Sequence, residues 1–316
     1  LTPLLAVVIG IYMTIFKHFG FGPVWPTVLD GFVNSCTGSW YFTLLYVHNI
    51  LPREMCVEHA WYSSADFQLI LVSPILLLSL NRWPKMTLIM IGILAVCSSI
   101  AGFLTSWFLE ITISSLDIEK TRTLNRYFYY ATWLRCSPWL IGLIVGYVIF
   151  EVKQKQFEFT INKITASALC AASLAVMYVC VFEGYDVIIG KSDKVTNVFR
   201  IALVRPSWVI AVSWIIFACA VGYGGPINKF LSLPVFQILS KLTYSMYLIH
   251  FPIMVVVIGK MATPSVFTTS QMFYGFWSDF MVTLIVSTVL SLAFELPVVA
   301  IEKYFSSRSS RKTKKI

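Results

Sequence analysis

Long apolar runs separated by short polar breaks recur from one end of the chain to the other. Eight of them, at roughly 1–16, 65–81, 86–109, 134–150, 161–182, 201–223, 239–259 and 279–301, reach or approach the ~20 residues that a helix needs to cross about 30 Å of hydrocarbon. Leu, Ile, Val and Phe follow one another in these runs without the alternation of a barrel strand. Lipid accepts only helices and closed barrels as spanning structures. The pattern predicts an all-α, polytopic membrane helix bundle with about eight transmembrane helices, the first of them short.

The polar breaks carry their own signal. The longest, 17–64, holds Trp25, Trp40, Tyr41, Phe42 and Tyr46 among Pro and Gly residues. It is too interrupted to span and is expected to lie at the headgroup level, where amphipathic rings are favoured. The stretch 265–277 has the same character. The short breaks are basic, with Arg82 and Lys85, then Lys153, Lys155 and Lys163, then Lys229 and Lys241. The last segment adds Lys303, Arg308, Arg311, Lys312, Lys314 and Lys315. Cytoplasmic loops favour Lys and Arg, so these breaks and the tail are expected inside and the loop 17–64 outside. The chain divides on this reading into a membrane domain, 1–302, and a basic cytoplasmic tail, 303–316.

Composition agrees with lipid as the solvent. The 316 residues are 58% hydrophobic and 12% charged, with mean hydropathy +0.77, whereas soluble domains carry roughly 25% charged residues. The net charge of +9 does not point to nucleic acid, because no aromatic-plus-basic groove or zinc spacing accompanies it. The expected partners are membrane lipids and a small-molecule or lipid substrate. No His/Cys cluster has metal-ligand spacing, so neither a metal nor a bound cofactor is expected. Cys36 and Cys56 both fall in the long outer loop. If that loop faces an oxidising compartment, they form a disulfide closing about 20 residues, worth ~3 kcal/mol by chain entropy.

A charge at the bilayer centre costs at least ~2.5 kcal/mol, so polar residues inside the runs are the best markers of a site. Tyr247 and His250 share a helix face with Thr243, and His250 serves either as an interhelical hydrogen-bonding group or as part of a reactive site. Glu295 ends a four-residue repeat with Thr283, Ser287 and Ser291; it either reaches the interface or faces inward. Arg135 and Arg205 each have a proline close behind. They either snorkel to headgroups or clamp a phosphate or carboxylate. Gly142 and Gly146, four apart, permit close helix contact. Asp66 fits the first turn of a helix capped by Ser63 or Ser64. His250, Tyr247, Arg135, Arg205, Asp66 and Glu295 together form the candidate polar cavity.

Four blocks of sequence resemble one family in the same order. They are "NSCTGSWYFTLLYVHNILPREMCVEHAWYSSADFQLILVSP" (34–74), "RCSPWLIGLIVGY" (135–147), "RPSWVIAVSWIIFACAVGYGGPINKFLSLPVFQILSKLTYSMYLIHFPI" (205–253) and "ELPVVAIEK" (295–303). The chain resembles the nose-resistant-to-fluoxetine proteins, a eukaryotic branch of the acyltransferase-3 membrane family. The resemblance implies an all-helical membrane domain that transfers an acyl group, other than an amino-acyl group, from a cytoplasmic acyl-CoA to a lipid or extracytoplasmic acceptor. It also implies that the family's catalytic histidine, on a first helix, lies upstream of Leu1, so that this chain is the C-terminal portion of a larger domain. On the same basis His250 in "YSMYLIH" is a site-lining position and not the base. Three readings follow: a membrane acyltransferase, a transporter or lipid- and drug-uptake protein without acyl transfer, and a non-catalytic fragment. The expected location is the plasma membrane or the endoplasmic reticulum.

Overall fold

The structure is a computed structural model that describes residues 1–51, 55–109, 125–155, 158–182, 193–261 and 268–313. The long helices are α1 (Thr2–Thr14), α2 (Trp61–Arg82), α3 (Pro84–Phe108), α4 (Thr132–Lys153), α5 (Lys163–Phe182), α6 (Lys194–Val221), α7 (Pro234–Gly259), α8 (Thr269–Leu290) and α9 (Leu296–Thr313). No strand occurs among the described residues. Among the described residues seven segments, each containing one of α2 to α8, are long and apolar enough to cross a membrane, and the chain is an integral, multi-pass membrane protein. The expected eighth, α1, has 13 residues in this chain, about 20 Å at 1.5 Å rise.

Two compact units divide the chain, one from residues 1–64 with 234–316 and one from residues 65–233. In the second, α3 shows how a membrane helix is patterned. Thr87, Ile91, Ala95, Ser98, Gly102 and Ser106 are its buried residues. They recur every three or four positions and so form one face. Ile89, Ile93, Val96, Ile100 and Leu104 are exposed. Small residues line the packed face because lipid offers large side chains as apolar a setting as the protein does, and close backbone approach is what packing gains. Leu76 and Leu80 of α2, Ile91 and Ala95 of α3 and Leu140 of α4 form the core there. Prolines inside α2, α4, α6 and α7 each deprive one carbonyl of its helical partner. At Pro74 of α2 the freed carbonyl is that of Ile70, and the Ser73 hydroxyl donates to it at 2.7 Å.

In the first unit, α7 packs along α8, and Thr283, Ser287 and Ser291 are buried. The helix swells into a π segment at Ser291–Glu295 before α9. The outer loop is built of short helical turns, Trp25–Leu29, Ser35–Thr37 and Trp40–Leu44, as its Pro and Gly content requires. Trp25 is buried against Phe16 and Val255 and donates from its indole to the Lys17 carbonyl at 3.2 Å. A Cβ on Gly20 or Gly259 would lie 2.3 or 2.4 Å from its ring, so both glycines exist to admit the indole. Cys36 and Cys56 form the expected disulfide.

Four expectations are corrected. Helix α2 begins at Trp61, not at the Ser63 or Ser64 cap, because the 3-10 turn Glu58–Ala60 already starts the coil; Asp66 is therefore not in the first turn. Residues 269–277, expected at the interface, are the first turns of α8, which their unbroken apolar and aromatic run sustains; positions 265–267 lie outside the described residues. The last span consequently runs Thr269–Phe305, and α9 continues into the basic segment to Thr313. A Cβ on Gly142 or Gly146 would meet nothing within 4 Å, so these glycines open space and do not bring helices together.

Candidate functional site

The polar centre of the first unit is built around α7 and the segment that leads into α2. Pro252 lies inside α7 and has no N–H, so the Leu248 carbonyl one turn earlier has no helical donor. His59 supplies it: its Nε2 lies 3.0 Å from that oxygen. A ring nitrogen facing a carbonyl must carry the proton, so Nδ1 holds the lone pair. Nδ1 is buried with no hydrogen-bond partner. His59 reaches this position because the chain turns sharply at Val57, a buried residue at φ 54°. A β-branched residue in the left-handed region costs about 1–3 kcal/mol and is tolerated only where surrounding structure imposes it. Here Cys56, in the disulfide, and the Thr43 hydroxyl, which donates to the Cys56 carbonyl at 2.9 Å, hold the turn.

His250 lies beside His59, with ring centroids 5.9 Å apart. Its Nδ1 is 2.7 Å from the Tyr247 carbonyl, which makes Nδ1 the donor and Nε2 the basic atom. The Tyr247 hydroxyl donates to the His59 carbonyl. Phe251 closes the cluster, its ring 5.0 Å from that of His59. Two imidazoles therefore stand together, each tied through one nitrogen to a backbone carbonyl.

Further polar groups lie in the same unit. His48 is buried, and its Nδ1 is 3.0 Å from the Ser64 hydroxyl. Its Nε2 is buried with no hydrogen-bond partner. Burial, with a smaller contribution from the nearby His59, pushes the His48 pKa down to about 4. Glu295, inside the π segment, accepts from Ser245 of α7 at 2.9 Å and from Ser291 at 3.0 Å. It faces inward and ties two elements, which settles the alternative left by the sequence. The Tyr12 hydroxyl is buried and without a partner.

Arg135 and Arg205 belong to the second unit. The Arg135 Nε donates to the Tyr129 carbonyl at 2.9 Å, and its guanidinium lies 4.5 Å from the Tyr129 ring. Arg205 lies 4.9 Å from the neighbouring Phe128 ring. Two adjacent aromatic residues thus bracket two guanidinium groups close enough to repel each other. Among the described residues Arg205 forms no ion pair. Both arginines are half-buried. Asp66 is half-buried on α2 in the same unit. The structure therefore gathers His250, Tyr247 and Glu295 in one unit and Arg135, Arg205 and Asp66 in the other. Among the described residues no three or more His, Cys, Asp or Glu side chains are placed to hold a metal ion.

Sequence reasoning missed His59, His48 and Ser245. His59 precedes the apolar run and carries no periodic signal. Its one sequence trace is indirect: Pro252 inside a predicted span announces a carbonyl in need of a donor.

Comparison with known proteins supplies the family. A model of the acyltransferase-3 family, described as an acyltransferase domain, matches residues 1–296. The chain is 28% identical, over 325 aligned positions and 98% of its length, to nose resistant to fluoxetine protein 6 of Caenorhabditis elegans, of which it covers 39%. It is 27% identical, over 261 positions and 76% of its length, to regulator of hypoxia-inducible factor 1 of the same organism, of which it covers 50%. The chain thus spans half or less of the length of these curated relatives. No solved structure gives a significant match.

Proposed function

We propose, from the premise that this chain belongs to the acyltransferase-3 family, that it forms part of a membrane acyltransferase in which the His59–His250 pair orients the acceptor. The acceptor is a hydroxyl-bearing lipid or extracytoplasmic molecule and the donor is acyl-CoA. The acceptor oxygen attacks the thioester carbonyl, the carbon–sulfur bond breaks, and the acceptor's proton ends on the departing thiol. The lone pair of His250 Nε2 accepts the hydrogen bond of such a hydroxyl and holds it for attack, with the His59 ring packed beside it. The observation that carries this reading is the pair itself, with both tautomers fixed by backbone carbonyls. Within its own unit the Arg135–Arg205 pair is suited to an anionic group such as a phosphate. The disulfide-bearing loop favours a membrane of the secretory route, endoplasmic reticulum or plasma membrane, since disulfides persist in oxidising compartments.

The test uses the full-length protein reconstituted with labelled acyl-CoA. His250→Asn keeps a donor toward the Tyr247 carbonyl and removes the Nε2 lone pair. It is expected to lower kcat at least tenfold without changing the melting temperature, whereas His250→Gln, which restores a polar group further out, recovers part of the rate. Thiol release that is insensitive to His250→Asn removes the orienting role, and no thiol release from the wild type removes acyl transfer.

A further inference from the structure

Helix α4 presents Trp139, Gly142, Leu143, Gly146, Tyr147 and Phe150 along one face, at alternating spacings of three and one. That face lines a cavity of about 870 Å³, completed by the end of α2 with Leu77, Leu80 and Asn81, by Pro84, and by Glu151 of α4. The two glycines make it: a Cβ at either would meet no atom within 4 Å, so any larger residue would fill the cavity and not strain the fold. The walls are hydrocarbon and aromatic. The mouth is not. Glu151 interacts with Tyr147 one turn before it, and among the described residues it forms no ion pair. Asn81, Tyr147 and Phe150 line the cavity with it. A carboxylate, an amide oxygen and two aromatic rings are what a primary ammonium uses, by charge, by hydrogen bonding and by attraction to the ring faces. The chain neighbours of the mouth carry the opposite charge. Arg82 follows the lining residue Asn81, and Lys85 follows the lining residue Pro84. Both stand exposed at the start of the short basic turn between α2 and α3.

We propose that this cleft binds one membrane phospholipid with a primary-amine headgroup, its ammonium at Glu151 and Asn81, its phosphate toward Arg82 and Lys85, and one acyl chain in the notch over Gly142 and Gly146. The charge order selects the occupant. An anionic lipid matches the rim and is repelled by the carboxylate. A quaternary ammonium has no N–H to donate. The site is independent of acyl transfer and belongs to the unit formed by residues 65–233.

The experiment is native mass spectrometry of the full-length protein released from vesicles of equal parts phosphatidylethanolamine, phosphatidylcholine and phosphatidylglycerol. One phosphatidylethanolamine per chain is expected to persist after the other lipids have been stripped. Gly146→Leu, which fills the notch without a clash, and Glu151→Gln, which removes the charge, are each expected to lower its retention about tenfold. Both variants are expected to keep the wild-type melting temperature in detergent. Were Gly146→Leu to lower that temperature, Glu151→Gln alone decides the outcome. The proposal is overturned if phosphatidylcholine or phosphatidylglycerol is retained as well as phosphatidylethanolamine, or if Glu151→Gln leaves retention unchanged. It is also overturned if a long-chain amine without phosphate competes on equal terms, since the rim cations would then contribute nothing.

Discussion

His48 shows how one buried ring makes stability depend on pH. Its pKa is held at about 4 mainly by burial, against about 6.5 in an unfolded chain. Between these values the unfolded state binds a proton that the folded state refuses, so stability rises with pH across that window. The contribution is fully present above about pH 6.5, falls as the solution is acidified, and levels off near pH 4, for a total of about 3 kcal/mol. His48→Gln keeps a polar partner for Ser64 and cannot charge. In detergent denaturation series, the wild type is expected to be the more stable at pH 7.5, and its advantage to shrink by about that amount at pH 4. An advantage that stays constant over the range excludes His48 as the titrating group. His48 and His59 were not legible in the sequence, because what makes them special is burial and an unshared nitrogen. His250 was, since an ionisable ring inside an apolar run needs a reason.

The helices were legible because their runs exceed any soluble element in length. Their interruptions were partly so. Pro252 marks a missing hydrogen bond in any reading of the sequence, yet the donor is 189 residues away, beyond the reach of local pattern. Glu295 was legible as a polar residue in a stripe, but the π segment that turns it toward Ser245 was not, since one extra residue in a turn leaves no compositional trace. The coupling of helix and histidine is measurable. His59→Ala strands the Leu248 carbonyl and is expected to cost about 1–3 kcal/mol. Pro252→Ala gives that carbonyl a helical donor again, so His59→Ala made in the Pro252→Ala background is expected to cost at least about 1 kcal/mol less. Equal costs in the two backgrounds would show that the ring's bond to the carbonyl does not contribute to stability.

At the scale of the molecule, sidedness follows from parity. The Cys36–Cys56 disulfide precedes α2, and the basic segment follows α8, with seven spanning segments between them. If each of the seven segments found among the described residues crosses once, the odd count puts the two ends on opposite faces. This agrees with the physics at each end: a disulfide persists on the oxidising side, and Lys and Arg are retained on the cytoplasmic side. On that expectation the short basic turns carrying Arg82, Lys85, Lys153 and Lys155 fall with the tail, and the mouth of the α2–α4 cleft is predicted to open toward the cytoplasmic leaflet. A cysteine introduced at Ser309, in a background lacking the five free cysteines, is expected to react with a membrane-impermeant maleimide only after the cells are permeabilised. Cys36 and Cys56 are expected to react in intact cells, or in sealed vesicles of lumen-out orientation, only after reduction. Reduction is also expected to lower stability by about 3 kcal/mol, the loop-closure value for a separation of 20 residues. Labelling of Ser309→Cys and of the reduced pair from the same side is incompatible with seven crossings.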